Sequence, residues 1–218
     1  MPDSRTIVVV AAGPVEPAAR AWLPEGACVV AADSGVDAAR ALGLAVDVAV
    51  GDFDSVTGAG LAAVEGAGAR LQRHPAAKDA TDLELALETA LELGAARIFV
   101  VGAAGGRLDH LLSTLLLFGH RRWEAVELDA LLGSARAHVI RSDRSLEGEP
   151  GELVSLLPLH GRAEGVVTKG LRYPLRGETL EPGSSRGVSN VFAEARAHVR
   201  VGRGTLLAIR PGEREETT

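Results

Sequence analysis

Cysteine is nearly absent from this chain. The single one, Cys28, lies in the apolar run CVVAA, so no intrachain disulfide can form and the thiol is expected in the core. A reducing, cytoplasmic setting fits that usage. Aromatic residues make up only 3% of the 218 residues, which leaves few rings to fill a core or to stack on a ligand. Excess positive charge is missing too. The net charge is −6 with Lys and Arg dispersed, which argues against a nucleic-acid groove but not against a small anion bridged by metal ions. No apolar stretch approaches the ~20 residues that a membrane helix needs, so a membrane is not an expected partner. IVVVAA near the start is six residues long and runs at once into the charged, proline-containing GPVEPAAR. It reads as a first β-strand rather than as the core of a signal peptide.

What is present suits a soluble globular chain: 46% hydrophobic and 24% charged residues, with 26 Gly and 10 Pro too dispersed for low complexity. At roughly 150 residues per domain, one large or two modest domains fit, and two are expected. Residues 6–130 alternate short β-branched runs (TIVVVAA, ACVVAA, VDVAVG, RIFVVG) with Ala- and Leu-rich amphipathic stretches. That pattern predicts a mostly parallel α/β sheet covered on both faces. The clearest helix runs from about Asp82 to Leu93, with Leu83, Ala86, Leu87, Ala90 and Leu91 on one face. Leu108, Leu111, Leu112, Leu115 and Leu116 repeat the stripe, and both helices are expected to bury one side. From Ser142 the texture changes. SDRSLEGEPGE reads as a polar connection, followed by the short alternating strands ELVSLLPL, AEGVVTKG, RAHVRVG and GTLLAIR. The expected division is therefore an α/β domain over 1–141 and a small antiparallel β-sandwich over 142–218.

In open α/β sheets, ligands bind beyond the carboxyl ends of the strands, and four such exits here carry unusual polar residues. AADSG places Asp33, Ser34 and Gly35 after the second strand, where a helix N-cap is the bland alternative. GDFDS follows the third. If that strand stays extended, Asp52 and Asp54 project to one side while Phe53 turns inward, and two carboxylates facing one point suit Mg²⁺. An Asx-turn with a cap at Ser55 explains the same residues without a ligand. In KDATDLEL, Thr81 and Glu84 form a capping box, which leaves Lys78, Asp79 and Asp82 unexplained. GAAGGRLDH leads a strand through a glycine-rich turn into a helix, where backbone N–H groups can approach a phosphate beside Arg107. It has neither the P-loop nor the dinucleotide spacing. His110 reads as a helix-surface residue.

GDFDS, KDATDLE and GGRLDH, in that order and spacing, resemble thiamine pyrophosphokinases, and GVVTKGLRYPLRGETLEPGSSRGVSN resembles that family's C-terminal β-domain signature. The resemblance spans about residues 7 to 210. It implies an N-terminal domain that handles Mg-ATP, a C-terminal thiamine-binding and dimerisation β-sandwich, and a homodimer with substrate pockets between subunits. Carried onto this sequence, Asp52, Asp54 and Asp82 are the metal-binding carboxylates, and with Asp79 they form the catalytic set. Asp33, Ser34, Gly35, Ser55, Lys78, Gly105, Gly106 and Arg107 are the nucleotide-binding set, while Asp109, Ser189 and Asn190 meet thiamine. Two departures stand out. Ser34 occupies a position where many relatives have glycine, and no aromatic follows Asn190 except Phe192, so Tyr173 and Phe192 are the only rings the second domain offers.

The implied reaction transfers the β,γ-diphosphate of ATP to the thiamine hydroxyl, releasing AMP. It requires in-line alignment and positive charge against the phosphate oxygens, not a protein nucleophile. Three rivals remain open on the sequence. One is a diphosphokinase for another hydroxymethyl heterocycle such as a pterin. A second is a phosphohydrolase, since Asp52-Phe53-Asp54-Ser55 resembles the nucleophile loop of haloacid-dehalogenase-type enzymes, although that loop normally follows the first strand. The third is a catalytically silent binding module.

Overall fold

The structure, a computed structural model, describes residues 5–105 and 107–212. The chain divides into two compact units, Met1–Leu117 with Ala125–Gly133, and Phe118–Glu124 with Ser134–Thr218. The change of unit thus falls after Gly133 rather than at Ser142, because Ala135–Ile140 is a strand that pairs within the second unit.

The first unit alternates strands and helices in chain order: β1 (Thr6–Val10), β2 (Cys28–Ala32), α1 (Gly35–Ala41), β3 (Val48–Gly51), α2 (Gly58–Gly66), β4 (Arg70–Arg73), α3 (Asp82–Glu92), β5 (Arg97–Val101), α4 (Leu108–Gly119) and β6 (Glu127–Leu132). Its strands pair in parallel in the order β4-β3-β2-β1-β5-β6. The order reverses beside β1, and such a switch point opens a crevice at the carboxyl ends of the strands. Helices cover both faces, so β1 buries every residue from Ile7 to Val10 and reads as a continuous β-branched run. Val8, Val10, Val29 and Ala31 pack with Val36 and Ala39 of α1, with Leu42 just after it and with Val64 of α2. On α3, which contacts β1, β2 and β3, Leu83, Ala86, Leu87 and Ala90 are buried. That helix starts as expected, with the Thr81 hydroxyl accepting the Glu84 N–H at 3.2 Å.

One first-unit strand escaped the sequence reading and one expectation needs correction. β4, RLQR, has no β-branched residue; it is an edge strand held by its register with β3. On α4, Leu108 and Leu112 are 77% and 55% exposed, and the buried residues include Thr114 and Phe118. The leucine stripe does not face the core. Cys28 is half-buried, and burial followed by the neighbouring Asp47 carboxylate pushes its thiol up, which suits an inert residue.

The second unit is antiparallel: β7 (Ala135–Ile140), β8 (Asp143–Glu147), β9 (Leu153–Lys169), β10 (Arg176–Leu180), β11 (Asn190–Val191), β12 (Arg196–Arg200) and β13 (Arg203–Arg210). ELVSLLPL and AEGVVTKG are one 17-residue strand, β9, that bends at His160 and Gly161, both with positive φ. Its first half pairs with β13 and β11, its second with β10 and β12. One strand thereby serves two sheets, as β-sandwiches do at their corners. Leu146, Val154, Leu156, Val166, Leu180 and Phe192 form the core between them. The supposed polar connection contains β8, whose Leu146 is 3% exposed and whose remaining residues alternate outward.

Candidate active site

Every strand exit singled out in the sequence opens on the same edge of the parallel sheet, since parallel strands all end on one side. Asp33 leaves β2 in a left-handed conformation, φ 46°, with its N–H bonded to the Val50 carbonyl at 2.8 Å. Its side chain is turned inward: Asp33 is 8% exposed and its Oδ1 is buried without a hydrogen-bond partner. Burial, and then the nearby Asp82 and Asp52 charges, push its carboxyl above the ordinary Asp value.

β3 does not stay extended through GDFDS. It ends at Gly51, and Phe53 adopts φ 62° with its ring buried under the Arg73 guanidinium, 5.0 Å from the ring centroid. Asp52 Oδ1 accepts the Asp54 N–H at 3.3 Å, so the turn rather than strand alternation brings the two carboxylates to one side. Phe53 does face inward, as expected. The Asp54 N–H and then Lys78 hold the Asp52 carboxyl below its usual range. Ser55 donates to Asp54 Oδ1 at 2.7 Å and does not cap the next helix, which is Thr57's role, with its Oγ1 accepting from Gly60 N–H at 3.0 Å.

Carboxylate oxygens of Asp33, Asp52 and Asp54 lie within 4.8 Å of one another. Asp33 joins Asp52 and Asp54 in this group, which does not include Asp82. Asp82 lies alongside, since a Cβ added at Gly51 would come 3.1 Å from both Asp33 Cβ and Asp82 Oδ1. Its Oδ1 meets Lys78 Nζ at 2.8 Å, and the same ammonium stands 3.4 Å from Asp52 Oδ2. Burial opposes the Lys78 charge, yet the Asp82 and Asp52 carboxylates hold its pKa above the ordinary lysine value, so it stays cationic. Asp79 is exposed at the same exit.

At the switch point, backbone meets backbone. A Cβ on Gly35 would lie 2.1 Å from the Val10 carbonyl oxygen, and one on Gly102 would lie 2.5 Å from that of Ala11. A Cβ on Gly13, φ 123°, would likewise lie 2.5 Å from the Ala104 carbonyl oxygen. Gly13 escaped the sequence reading; a glycine directly after an apolar strand was the available signal. Ser34 precedes α1 in a helical conformation and makes no side-chain cap. Gly105 has φ 101°, and Gly106 lies outside the described residues. Arg107 and Asp109 are exposed and form an ion pair of 2.6 Å with each other before and within the first turn of α4.

In the second unit, Tyr173, Leu175, Ser184, Ser185, Arg186, Gly187, Val188, Ser189 and Asn190 line a cleft of about 410 Å³, within the size range of small-molecule sites. Ser189 is exposed, with φ 55°, and its N–H donates to Ser155 Oγ at 3.1 Å. Asn190 lines the cleft from a buried position. It is 3% exposed, and its Oδ1 accepts from the N–H groups of Tyr173 and Val191. Of the two aromatics, Phe192 is 1% exposed and belongs to the core, whereas Tyr173 is 54% exposed at the cleft.

Two family models match the chain in succession. One, described as thiamin pyrophosphokinase, catalytic domain, covers residues 20–127; the other, described as thiamin pyrophosphokinase, vitamin B1 binding domain, covers 137–206. A thiamine pyrophosphokinase of Bacillus subtilis is 28% identical over 212 residues, 94% of this chain and 98% of the relative. The crystal structure of the Bacillus subtilis protein superposes with a TM-score of 0.83 at 27% identity, covering 96% of this chain and 100% of that one. That of the Geobacillus thermodenitrificans protein gives 0.81 at 26%, covering 98% and 100%.

Proposed function

The chain belongs to the thiamin pyrophosphokinase family, and from that premise we propose how its own residues serve the reaction, transfer of the diphosphate of ATP to thiamine. The observation that carries this reading is the convergence of Asp33, Asp52 and Asp54 beside a cationic Lys78 within the span matched by the catalytic-domain model. The pterin and phosphohydrolase alternatives lose their support. The second unit matches a vitamin B1 binding domain, and the D-x-D segment follows β3 rather than the first strand.

Asp33, Asp52 and Asp54 offer only oxygen donors, and Asp33 Oδ1 is buried without a hydrogen-bond partner, so the set fits Mg²⁺. A bound Mg²⁺ would neutralise the triphosphate and polarise the phosphorus under attack. Lys78 adds a fixed positive charge for phosphate oxygens, and Asp82 holds its ammonium in place. Gly35 and Gly102 let the chain pass close against the end of β1, where a side chain would strike the Val10 or Ala11 carbonyl. Thiamine is assigned to the second unit, with its hydroxyl as nucleophile and AMP as leaving group.

The deciding experiment incubates the purified protein with Mg²⁺, ATP and thiamine and reads products by mass spectrometry. Thiamine diphosphate and AMP in equal amounts, each requiring both substrates, are expected; inorganic phosphate without AMP would return the phosphohydrolase.

The same reading includes a homodimer in the cytoplasm. Among the described residues no helix is long and apolar enough to cross a membrane. Exposed Leu108 and Leu112 on α4 give an apolar surface that a second copy would cover. Light scattering is expected to return twice the chain mass of 22.6 kDa, and Leu108→Asp with Leu112→Asp to shift it toward monomer. A monomeric wild-type enzyme with full activity would end that reading.

A further inference from the structure

The carboxylates of the candidate cation site stand on two separate loops, and the fold ties those loops together at a second point. Asp33 follows β2 and leads into α1, whose Val36 N–H donates to the Asp33 carbonyl at 3.0 Å. Asp54 follows β3, in a loop that reaches α2 at Gly58. One helical turn beyond Asp33, the Asp37 carboxylate meets that loop: Oδ2 accepts the Thr57 N–H at 2.8 Å and Oδ1 accepts the Thr57 hydroxyl at 2.6 Å. Two bonds to one residue fix its orientation as well as its distance. Since β2 and β3 are neighbours in the sheet, the link closes a ring that runs from β2 through Asp33 and Asp37 to Thr57, Asp54 and β3.

Helix α2 does not need this link for its own start. Thr57 Oγ1 accepts the Gly60 N–H at 3.0 Å and so caps α2 with or without Asp37. Burial opposes the Asp37 charge, yet the Thr57 N–H and hydroxyl, and then Arg40, hold its carboxyl below the ordinary Asp value. Gly60 leaves the carboxylate its space, for a Cβ there would lie 2.2 Å from Asp37 Oδ1 and 3.0 Å from Thr57 Oγ1. Glycine is a poor helix former, so its place in the first turn of α2 is explained by what it admits. The remainder of the loop is held by less specific contacts. Phe53 lies in the apolar cluster and Val56 packs against it, which sets how deep the loop sits, but apolar contact is not directional. Asp54 and Ser55 are exposed and bond to each other.

We propose that Asp37 is a positioning residue for the cation site: by holding Thr57 it fixes the spacing of the loops that carry Asp33 and Asp54, while standing outside the carboxylate group itself. The assignment rests on the reading of Asp33, Asp52 and Asp54 as the set that holds Mg²⁺.

Mn²⁺ supplies the probe. Its paramagnetic resonance spectrum, followed while the ion is titrated into the full chain without nucleotide, gives a dissociation constant independent of turnover. Asp37→Ala and Thr57→Val are each expected to raise that constant at least ~5-fold, and the double variant by less than about twofold beyond either, because both break one link. Asp37→Asn loses the charge but keeps an oxygen for the Thr57 N–H and an amide for its hydroxyl oxygen, so it is expected within about threefold of wild type. Gly60→Ala separates positioning from stability. Its methyl group displaces the Asp37 carboxylate while alanine favours the helix, so Mn²⁺ binding is expected to weaken at least ~5-fold with the unfolding midpoint moved by less than about 3 °C. In kinetics, the Mg²⁺ concentration for half-maximal turnover rises in parallel and the thiamine KM stays within about twofold. If Thr57→Val loses the cap and does not fold, Asp37→Ala and Gly60→Ala carry the test. Unchanged Mn²⁺ binding in Asp37→Ala and Gly60→Ala, even with a lower midpoint, overturns the proposal and leaves the link a purely structural one. So does full additivity in the double variant, or a loss in Asp37→Asn as large as in Asp37→Ala, which would make the effect one of charge. Failure of the underlying reading looks different: the wild-type protein would then bind no Mn²⁺ that Asp54→Asn weakens.

Discussion

Asp52→Asn and Asp54→Asn are each expected to lower turnover at least ~100-fold while leaving the thermal unfolding midpoint nearly unchanged, because each removes charge from a cation site and little from the core. Asp54 is exposed and Asp52 half-buried, and neither packs in the apolar cluster of the first unit. Asp33→Asn is expected to cost as much turnover. Its buried Oδ1 has no hydrogen-bond partner within the protein, and a bound cation would supply one. Asp82 separates two accounts of the site. Its carboxylate is 2.8 Å from Lys78 Nζ and is not part of the group formed by Asp33, Asp52 and Asp54, so Asp82→Asn is expected to act mainly as a rise in the ATP KM. Steady-state rates across a Mg²⁺ titration make the comparison. Near-normal Mg²⁺-dependent activity in Asp52→Asn, Asp54→Asn and Asp33→Asn would remove the metal assignment. A loss in Asp82→Asn that excess Mg²⁺ restores would return Asp82 to the ligand set.

Gly35→Ala is the second large effect, and it falls on stability. The methyl group would stand 2.1 Å from the Val10 carbonyl oxygen and 2.9 Å from its carbon, both backbone atoms that no rotamer change can move. α1 would have to lift from the end of β1, disturbing the contact of Val36 and Ala39 with Val8 and Val10. Overpacking of that kind costs about 3 kcal/mol or more, which lowers the unfolding midpoint by roughly 10 °C for a unit of this size. Gly58→Ala, at the first position of α2 with nothing within 4 Å of the added methyl, is the control. It is expected to be neutral or slightly stabilising, because alanine loses less entropy in a helix than glycine. Calorimetry of both variants checks the pair. Equal midpoints for both would mean that α1 tolerates the shift and that the tight approach at Gly35 is not required for folding.

The elements read best from sequence are those where one local pattern has one structural answer. α3 carried both a face of apolar residues at helical spacing and a Thr81 cap, and it runs from Asp82 to Glu92. β1, β2, β3 and β5 announced themselves as β-branched runs because both sheet faces are covered. β4, by contrast, has Arg70 and Arg73 at its ends and no β-branched residue, and its strand character comes from the partner β3. β8 looked like a linker because only Leu146 faces the core. α4 shows the opposite failure. Its leucines recur at helical spacing, but periodicity reports that a face is apolar, not what covers it, and Leu108 and Leu112 are exposed.

The sequence by itself determined the class of the first unit, the antiparallel character of the second, and the four strand exits at which polar residues collect. Those properties follow from local spacing and from the rule that parallel strands end on one side. Only the tertiary structure decided which carboxylates meet. Asp33 and Asp54 are 21 positions apart, and their oxygens lie within 4.8 Å because β2 and β3 are neighbours in the sheet and both chains turn left-handed as they leave it. Asp82 lies nearby yet faces Lys78, four residues before it, which a motif shared by both could not foretell. Asn190 makes the same point in the second unit. The sequence places it beside Ser189, but which backbone its buried amide meets, that of Tyr173, depends on how segments 17 positions apart come together, because a buried carboxamide requires hydrogen-bond partners.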